Sequence, residues 1–288
     1  MNASYRKSYP LWFLLPAGLI FTVLFLVPTL MSLAFSLTRW TLTEANFTGF
    51  DNFVTFFAEP SLSIGLKNTL IYAAVTSCLK VVLGFLLAVL LTSGLRGRNL
   101  LRAFIFFPTL ISTIAVGIIF SSLMHPSMGT INRALAFVGI EGPNWLGDPR
   151  WALLSVALVD VWKGVGIALV IFIAGILAIP QTYFEALAMD GGNRRHKLLH
   201  LTLPLSWPAT SAVILLSFIG GLRTFDLVWA MTGGGPGFAT DVVASIIYKQ
   251  YQAGFYGLAT AGNVILVALV LVLAVPLQKF LSLREVDL

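Results

Sequence analysis

WALLSVALVDVWKGVGIALVIFIAGILAIPQTYFEALAMDGGNRRHKLLHLTLP, Trp151 to Pro204, joins a strongly apolar run to a strongly polar one. The apolar part, 151–179, is long enough to cross the hydrocarbon core of a bilayer, which takes about 20 helical residues. The polar part, 180–204, holds Glu185, Asp190, Gly191, Gly192, Arg194, Arg195, His196, Lys197 and His200. Two helices can be joined by about 2–8 residues. A connection this long, with its own punctuation, presents something besides linking two spans.

The rest of the chain explains the contrast. Of 288 residues, 58% are hydrophobic and only 10% charged, and the mean hydropathy is +0.90. Soluble domains carry roughly 25% charged residues, so lipid must serve as solvent for much of this surface. Six stretches can span: 11–37, 64–93, 103–124, 151–179, 205–230 and 255–281. Alternating β-barrel patterning is absent, and unpaired backbone amides are too costly in lipid for open strands. The expected fold is an all-α polytopic membrane protein with six transmembrane helices in a single domain, 1–288. The apolar run from Leu11 is longer than a signal-peptide core and no small-residue cleavage site follows, so it reads as a retained first span. The lone Cys78 permits no internal disulfide and reads as a small buried thiol.

Orientation follows from Lys and Arg near the span ends. Arg6, Lys7, Arg96, Arg98, Arg102, Arg194, Arg195, Lys197, Lys279 and Arg284 belong to one set of loops and termini; Arg39, Lys67, Arg133, Arg150 and Lys249 belong to the other. The richer set is assigned to the cytoplasm, with both termini inside, and the 180–204 loop falls there. The excess of positive charge (net +6) is thereby a topology signal, and no soluble domain exists to carry nucleic-acid binding. On the opposite side, 38–63 carries an aromatic cluster suited to a short interfacial amphipathic helix, and Met231–Asp241 is a Gly/Pro turn cluster.

Within the loop, Thr182-x-x-Glu185 matches a capping box, with Pro180 ending the preceding helical register. Ala186, Leu187, Ala188 and Met189 favour helix. Asp190-Gly191 stops it, NRRHKLLHL restarts one, and Pro204 is expected in the first turn of the fifth span. The product is a short helix–turn–helix on the cytoplasmic face.

The segment IPQTYFEALAMDGGNRRHKLLHLTLPLSWP, Ile179–Pro208, resembles the signature of binding-protein-dependent ABC importer permeases: Glu-Ala-Ala, three residues, Gly, then nine residues to hydrophobic-x-Leu-Pro. Glu185, Ala186, Asp190, Gly191, Leu201, Thr202, Leu203 and Pro204 match it; Leu187 and Gly192 stand where the pattern has alanine. FTGFDNFVTFF (Phe47–Phe57) and FDLVWAMTGGGPGFATDVVASIIYKQYQAGF (Phe225–Phe255) resemble the first-permease half of the maltose and glycerol-3-phosphate type of carbohydrate importer.

The resemblance implies an importer type I permease fold and a bacterial or archaeal inner-membrane location. Its partners would be a second homologous permease forming a heterodimer, two copies of a cytoplasmic ABC ATPase and an extracytoplasmic solute-binding protein. It also implies that the 180–204 loop docks on the ATPase. Glu185 would supply a charged contact, Ala186 a thin approach, Gly191 the turn, and closure on ATP would tilt the attached spans. ATP and Mg would belong to the ATPase. In agreement, the chain has no G-x-x-x-x-G-K-[ST] phosphate loop and no cofactor is expected on it.

Charged groups within spans are costly and default to functional candidates. Here they are Lys80, Asp160, Lys163, Arg223 and Asp226, with Trp162 and Trp229 able to stack on a sugar ring. They either line a substrate path or pair within their own helices, Asp160 with Lys163 and Arg223 with Asp226, each three residues apart. Pairing or snorkelling to the interface is the favoured reading, and Lys80 has no evident partner. No His/Cys/Asp/Glu spacing suggests a metal site, and no catalytic motif such as H-E-x-x-H or G-x-S-x-G occurs. The function expected is the permease subunit of an ATP-driven importer for a sugar or sugar derivative. A self-sufficient secondary transporter or channel is the alternative.

Overall fold

The computed structural model describes residues 11–41 and 44–283; Arg6, Lys7 and Arg284 of the charge argument lie outside them. By contact pattern the chain forms two compact units, one containing the described residues up to Glu59 together with Ile247–Ile265, the other Pro60–Ile246 and the described residues from Leu266. In the first, α1 (Trp12–Ser36) is predominantly apolar and exposes most of its side chains. An antiparallel hairpin follows, β1 (Thr38–Trp40) on β2 (Ala45–Phe47), with Thr38 opposite Phe47. These strands are an addition to the expected all-helical chain. The aromatic loop is thus partly hairpin, and only α2 (Asp51–Ala58) is the amphipathic helix anticipated there. Asn52 ties the two together, its amide donating to the carbonyls of Ser36 and Thr38 at 2.8 Å each.

The second unit is built on three helices: α3 (Pro60–Thr92), α7 (Pro149–Leu177) and α10 (Trp207–Leu222). Between α3 and α7 lie α4 (Arg98–Leu110), α5 (Thr113–Leu123) and the short α6 (Thr130–Phe137). Small residues let the backbones approach, as is common between helices in lipid. A Cβ on Gly84 of α3 would stand 2.7 Å from the Ala168 Cβ of α7, and one on Gly221 of α10 would stand 2.6 Å from the Ala73 Cα of α3. Asp148 caps α7, accepting from the Arg150 amide at 2.9 Å. That backbone hydrogen bond, with the Arg150 guanidinium beside it, holds the Asp148 carboxyl below its ordinary range. Cys78 is exposed, not buried, because it falls on the outward stripe of α3 with Ile71, Val82 and Leu86.

Among the described residues, four helices are individually long and apolar enough to cross a membrane, and two bent pairs bring the number to six if each pair is one span. The expected spans 103–124 and 205–230 are bent or interrupted helices. α4 and α5 meet at 97°. Pro108 removes an amide from the last turn of α4, and Ile111 and Ser112 are extended, with ψ of 142° and 133°. α9 (Arg194–Leu205) and α10 meet at 64°. α10 then stops at Leu222, the backbone leaves helix through Phe225 (φ −144°), and α11 (Asp226–Thr232) resumes.

The glycine-rich turn after α11 is pinned to α3. The Asn68 side-chain amide donates to the carbonyls of Ala239 at 3.0 Å and Asp241 at 2.9 Å, and the Val243 amide donates to the Thr69 hydroxyl at 3.0 Å. The chain then continues through α12 (Val243–Gln252) into α13 (Tyr256–Ser282).

Candidate functional site: a helix–turn–helix loop and an intramembrane ion pair

The loop begins with α8 (Gln181–Met189), whose cap is Pro180 with ψ of 136° and no side-chain hydrogen bond. The expected capping box does not form. Extended backbone at Pro180 starts the helix two residues early, so Thr182 lies inside the first turn instead of before it.

The stop is as expected in kind. Gly191 has φ of +72°, its amide donates to the Ala188 carbonyl at 3.2 Å, and the Gly192 amide donates to the Leu187 carbonyl at 2.9 Å. This crossed pair is a Schellman motif, which satisfies two of the free carbonyls at the helix end and needs a left-handed residue. Asn193 starts the next helix, its side-chain oxygen accepting from the amides of Arg195 and His196 at 3.0 Å each.

α9 widens into a π-helical register over Lys197–Thr202. Pro204 lies near the end of this helix, just before the bend at Ser206. The widened register accommodates a residue that cannot donate to the carbonyl four before it.

Two departures from the family pattern now explain each other. Leu187 is turned inward under the Gly191 turn, leaving Ala186 on the exposed side with Glu185 and Asp190. A Cβ at Gly192 would stand 2.5 Å from Leu187 Cγ and 2.8 Å from the Leu187 carbonyl oxygen. The Leu187 side chain and its carbonyl oxygen together leave no room for a Cβ at 192. Gly192→Ala should destabilise the loop by about 1–3 kcal/mol, the usual range for overpacking, and Leu187→Ala should rescue it only in part because the carbonyl contact remains. Limited proteolysis of the loop checks both.

Tyr183 and Met189 are 47% and 88% exposed, so α8 presents apolar as well as charged groups. Among the described residues, Glu185 has no ion-pair partner.

In the spans, Lys80 finds the partner that the sequence did not reveal. Its Nζ lies 2.8 Å from Asp160 Oδ2, with side chains 10% and 24% exposed. Gly84 of α3 is level with Ala168 of α7, and Lys80 is level with Gly164, where a Cβ would meet Lys80 Cε at 2.7 Å. Helical side chains lean toward the N-terminus, so the Lys80 stem crosses the Gly164 groove and its ammonium reaches Asp160 one turn further on.

Neither expected intrahelical pair forms. Lys163 has no carboxylate within ion-pair distance among the described residues; its carbonyl accepts from the Thr109 hydroxyl at 2.9 Å. Arg223 and Asp226 are exposed and unpaired with each other, flanking the break between α10 and α11. There Arg223 caps a C-terminus and Asp226 sits in a first turn, the ends that favour a cation and an anion.

Trp162 rests on Phe120 with ring centroids 5.1 Å apart, and Trp229 stacks on Phe225 at 5.7 Å. Sequence reasoning missed Tyr72. It is fully buried, and its hydroxyl lies near Asp160 and Thr224 without a well-aligned hydrogen bond to either. A tyrosine in an apolar run carries no sequence mark of such a position.

The fold matches that of a solved bacterial ABC transporter involved in the import of the acidic polysaccharide alginate. The TM-score is 0.84 at 22% identity, covering 97% of both chains. The chain belongs to the family of binding-protein-dependent transport system inner membrane components, whose profile matches residues 80–285. It is 30% identical over 260 residues to the trehalose/maltose transport system permease protein MalF of Thermococcus litoralis, covering 90% of this chain and 88% of that one. Over 280 residues it is 32% identical to the arabinooligosaccharides transport system permease protein AraP of Bacillus subtilis, covering 95% and 88%. The protein is accordingly a non-catalytic, multi-pass permease subunit of an ABC importer in the inner membrane, and the nucleotide of such a system is bound by its ATPase.

Proposed function

We propose that this permease imports a saccharide or saccharide derivative as one half of a heterodimeric pathway. The other half is a second homologous permease, two copies of a cytoplasmic ABC ATPase drive the pair, and an extracytoplasmic binding protein delivers the substrate. Relatives named for trehalose/maltose and arabinooligosaccharides support the substrate class.

The observation that carries the coupling role is the exposed face of α8. Glu185, Ala186, Met189 and Asp190 stand outward on a helix that a left-handed glycine stops abruptly. Glu185 would meet a cation of the ATPase, and the adjoining α9 would pass its movement into α10. The loop and both termini lie in the cytoplasm on this reading. Lys80, Asp160, Trp162, Lys163, Arg223, Asp226 and Trp229 are the proposed path residues, with Asp160 and Trp229 best placed by their proximity to Tyr72 and to the α10–α11 break.

The test is reconstitution of the complete transporter in vesicles. Saccharide-loaded binding protein is expected to stimulate ATP hydrolysis and uptake together. Uptake by this chain alone, without ATP, would overturn the reading in favour of a self-sufficient transporter.

A further inference from the structure

A cavity of about 490 Å³ opens where the ends of α3 and α7 meet the base of the loop. That size is within the range of small-ligand pockets. Its lining is mixed: Val89, Ile176 and Leu198 are apolar, and Arg194, Lys197 and Ser93 bring two cations and a hydroxyl. Among the described residues neither cation has a carboxylate within 4.0 Å. The Lys197 ammonium is held over the Phe184 ring, 4.3 Å from its centroid, which positions it without neutralising it. Two cations without a carboxylate partner, sharing a cavity with apolar side chains at the ends of two spans, match a phosphate group that has hydrocarbon attached. Basic pockets between spans on the cytoplasmic side suit such headgroups.

We infer that this cavity binds the phosphate of an anionic phospholipid, with Arg194 and Lys197 on the headgroup and an acyl chain along Val89 and Ile176. The inorganic anion shares the charge but not the hydrocarbon, so the apolar residues of the lining favour the lipid. Because Arg194 and Lys197 belong to the helix that follows α8, a lipid held here anchors the base of the loop to the bilayer surface. The inference rests on the cytoplasmic placement proposed above and on nothing else in that reading.

The experiment uses the complete transporter in detergent, supplied with equal phosphatidylglycerol and phosphatidylcholine, with retained lipid counted on this chain by native mass spectrometry. The wild type should retain phosphatidylglycerol in preference. Each cation near a membrane surface is worth about fivefold in affinity. Arg194→Gln with Lys197→Gln should therefore lower retention about 30-fold, whereas Arg194→Lys with Lys197→Arg keeps it. Arg96→Gln with Arg98→Gln, exposed cations outside the cavity, should leave it unchanged.

Retention by the wild type should also fall as salt rises, a measurement that needs no variant to fold. Equal retention of the two lipids, or equal loss in the Arg96/Arg98 control, overturns the inference. So does displacement of phosphatidylglycerol by inorganic phosphate at millimolar concentration, which would give the cavity to the free anion. Lipid retention is read without ATP, so its failure is distinct from a failure of coupled uptake.

Discussion

Lys80→Met is expected to destabilise the protein by about 3–5 kcal/mol, the cost of stranding one member of a buried ion pair. The cause is the Asp160 carboxylate, left in a low-dielectric interior beside a Tyr72 hydroxyl that itself lacks a well-aligned hydrogen bond. Asp160→Leu alone should be nearly as damaging, since it strands the ammonium over Gly164. Replacing both together removes the desolvation cost along with the attraction, and buried pairs exchanged for apolar groups of similar volume are often neutral. Thermal unfolding of the detergent-purified chain in a double-mutant cycle reads this directly, because contacting residues show coupling and independent ones add. Additive single effects would show that the pair is not an energetic unit. A stable double variant with lost uptake would place the pair in transport instead of in folding.

Gly191→Val should abolish substrate-stimulated ATP hydrolysis while leaving the chain in the membrane. At φ of +72° an L-residue is strained by roughly 1–2 kcal/mol, and a β-branched one suffers most. Nothing lies within 4 Å of an added Cβ here, so the penalty comes from backbone conformation, and relief means abandoning the Schellman turn that aims α8. Gly191→Asn provides the control, since asparagine tolerates the left-handed region, and should retain most of the activity. If valine and asparagine behave alike, the turn conformation is not what coupling requires. If both are inactive, the surface around Gly191 must be in contact with the ATPase, too close for any side chain.

The sequence disclosed some of these features and not others, for physical reasons. Composition alone assigned lipid as the solvent, because a surface with so few charges cannot be hydrated. The loop was legible because glycine and asparagine act locally: a left-handed stop at Gly191 and a restart at Asn193 depend on a few neighbouring residues. The Thr182–Glu185 capping box failed on an equally local detail, the extended conformation of Pro180, which moved the cap. Leu187 and Gly192 looked like two unrelated departures because their compensation is a contact and not a pattern.

The Lys80–Asp160 pair was out of reach for a different reason. It depends on the level at which α3 crosses α7, set by Gly84 against Ala168, and nothing along either helix records that level. Spacing of three residues pointed instead to Asp160 with Lys163, a pair that helix geometry permits but that the packing of α7 against α3 does not select. Pro108 was a visible warning of the α4–α5 bend. The α10–α11 break carried no proline or glycine of its own, only the ordinary residues Arg223, Thr224 and Phe225.

That second break bears on how well the subunit insulates the membrane. Non-helical backbone is tolerated at membrane depth only where protein buries it or water reaches it, and the exposed charges of Arg223 and Asp226 favour water. On the fifth span the unbroken apolar helix is then α10 alone, 16 residues or about 24 Å, against roughly 30 Å of hydrocarbon in an undisturbed bilayer. The electrical field across the resting protein would therefore drop over a shorter distance here than through the surrounding lipid. A solute in the pathway would have correspondingly less dry distance to cross beside this helix.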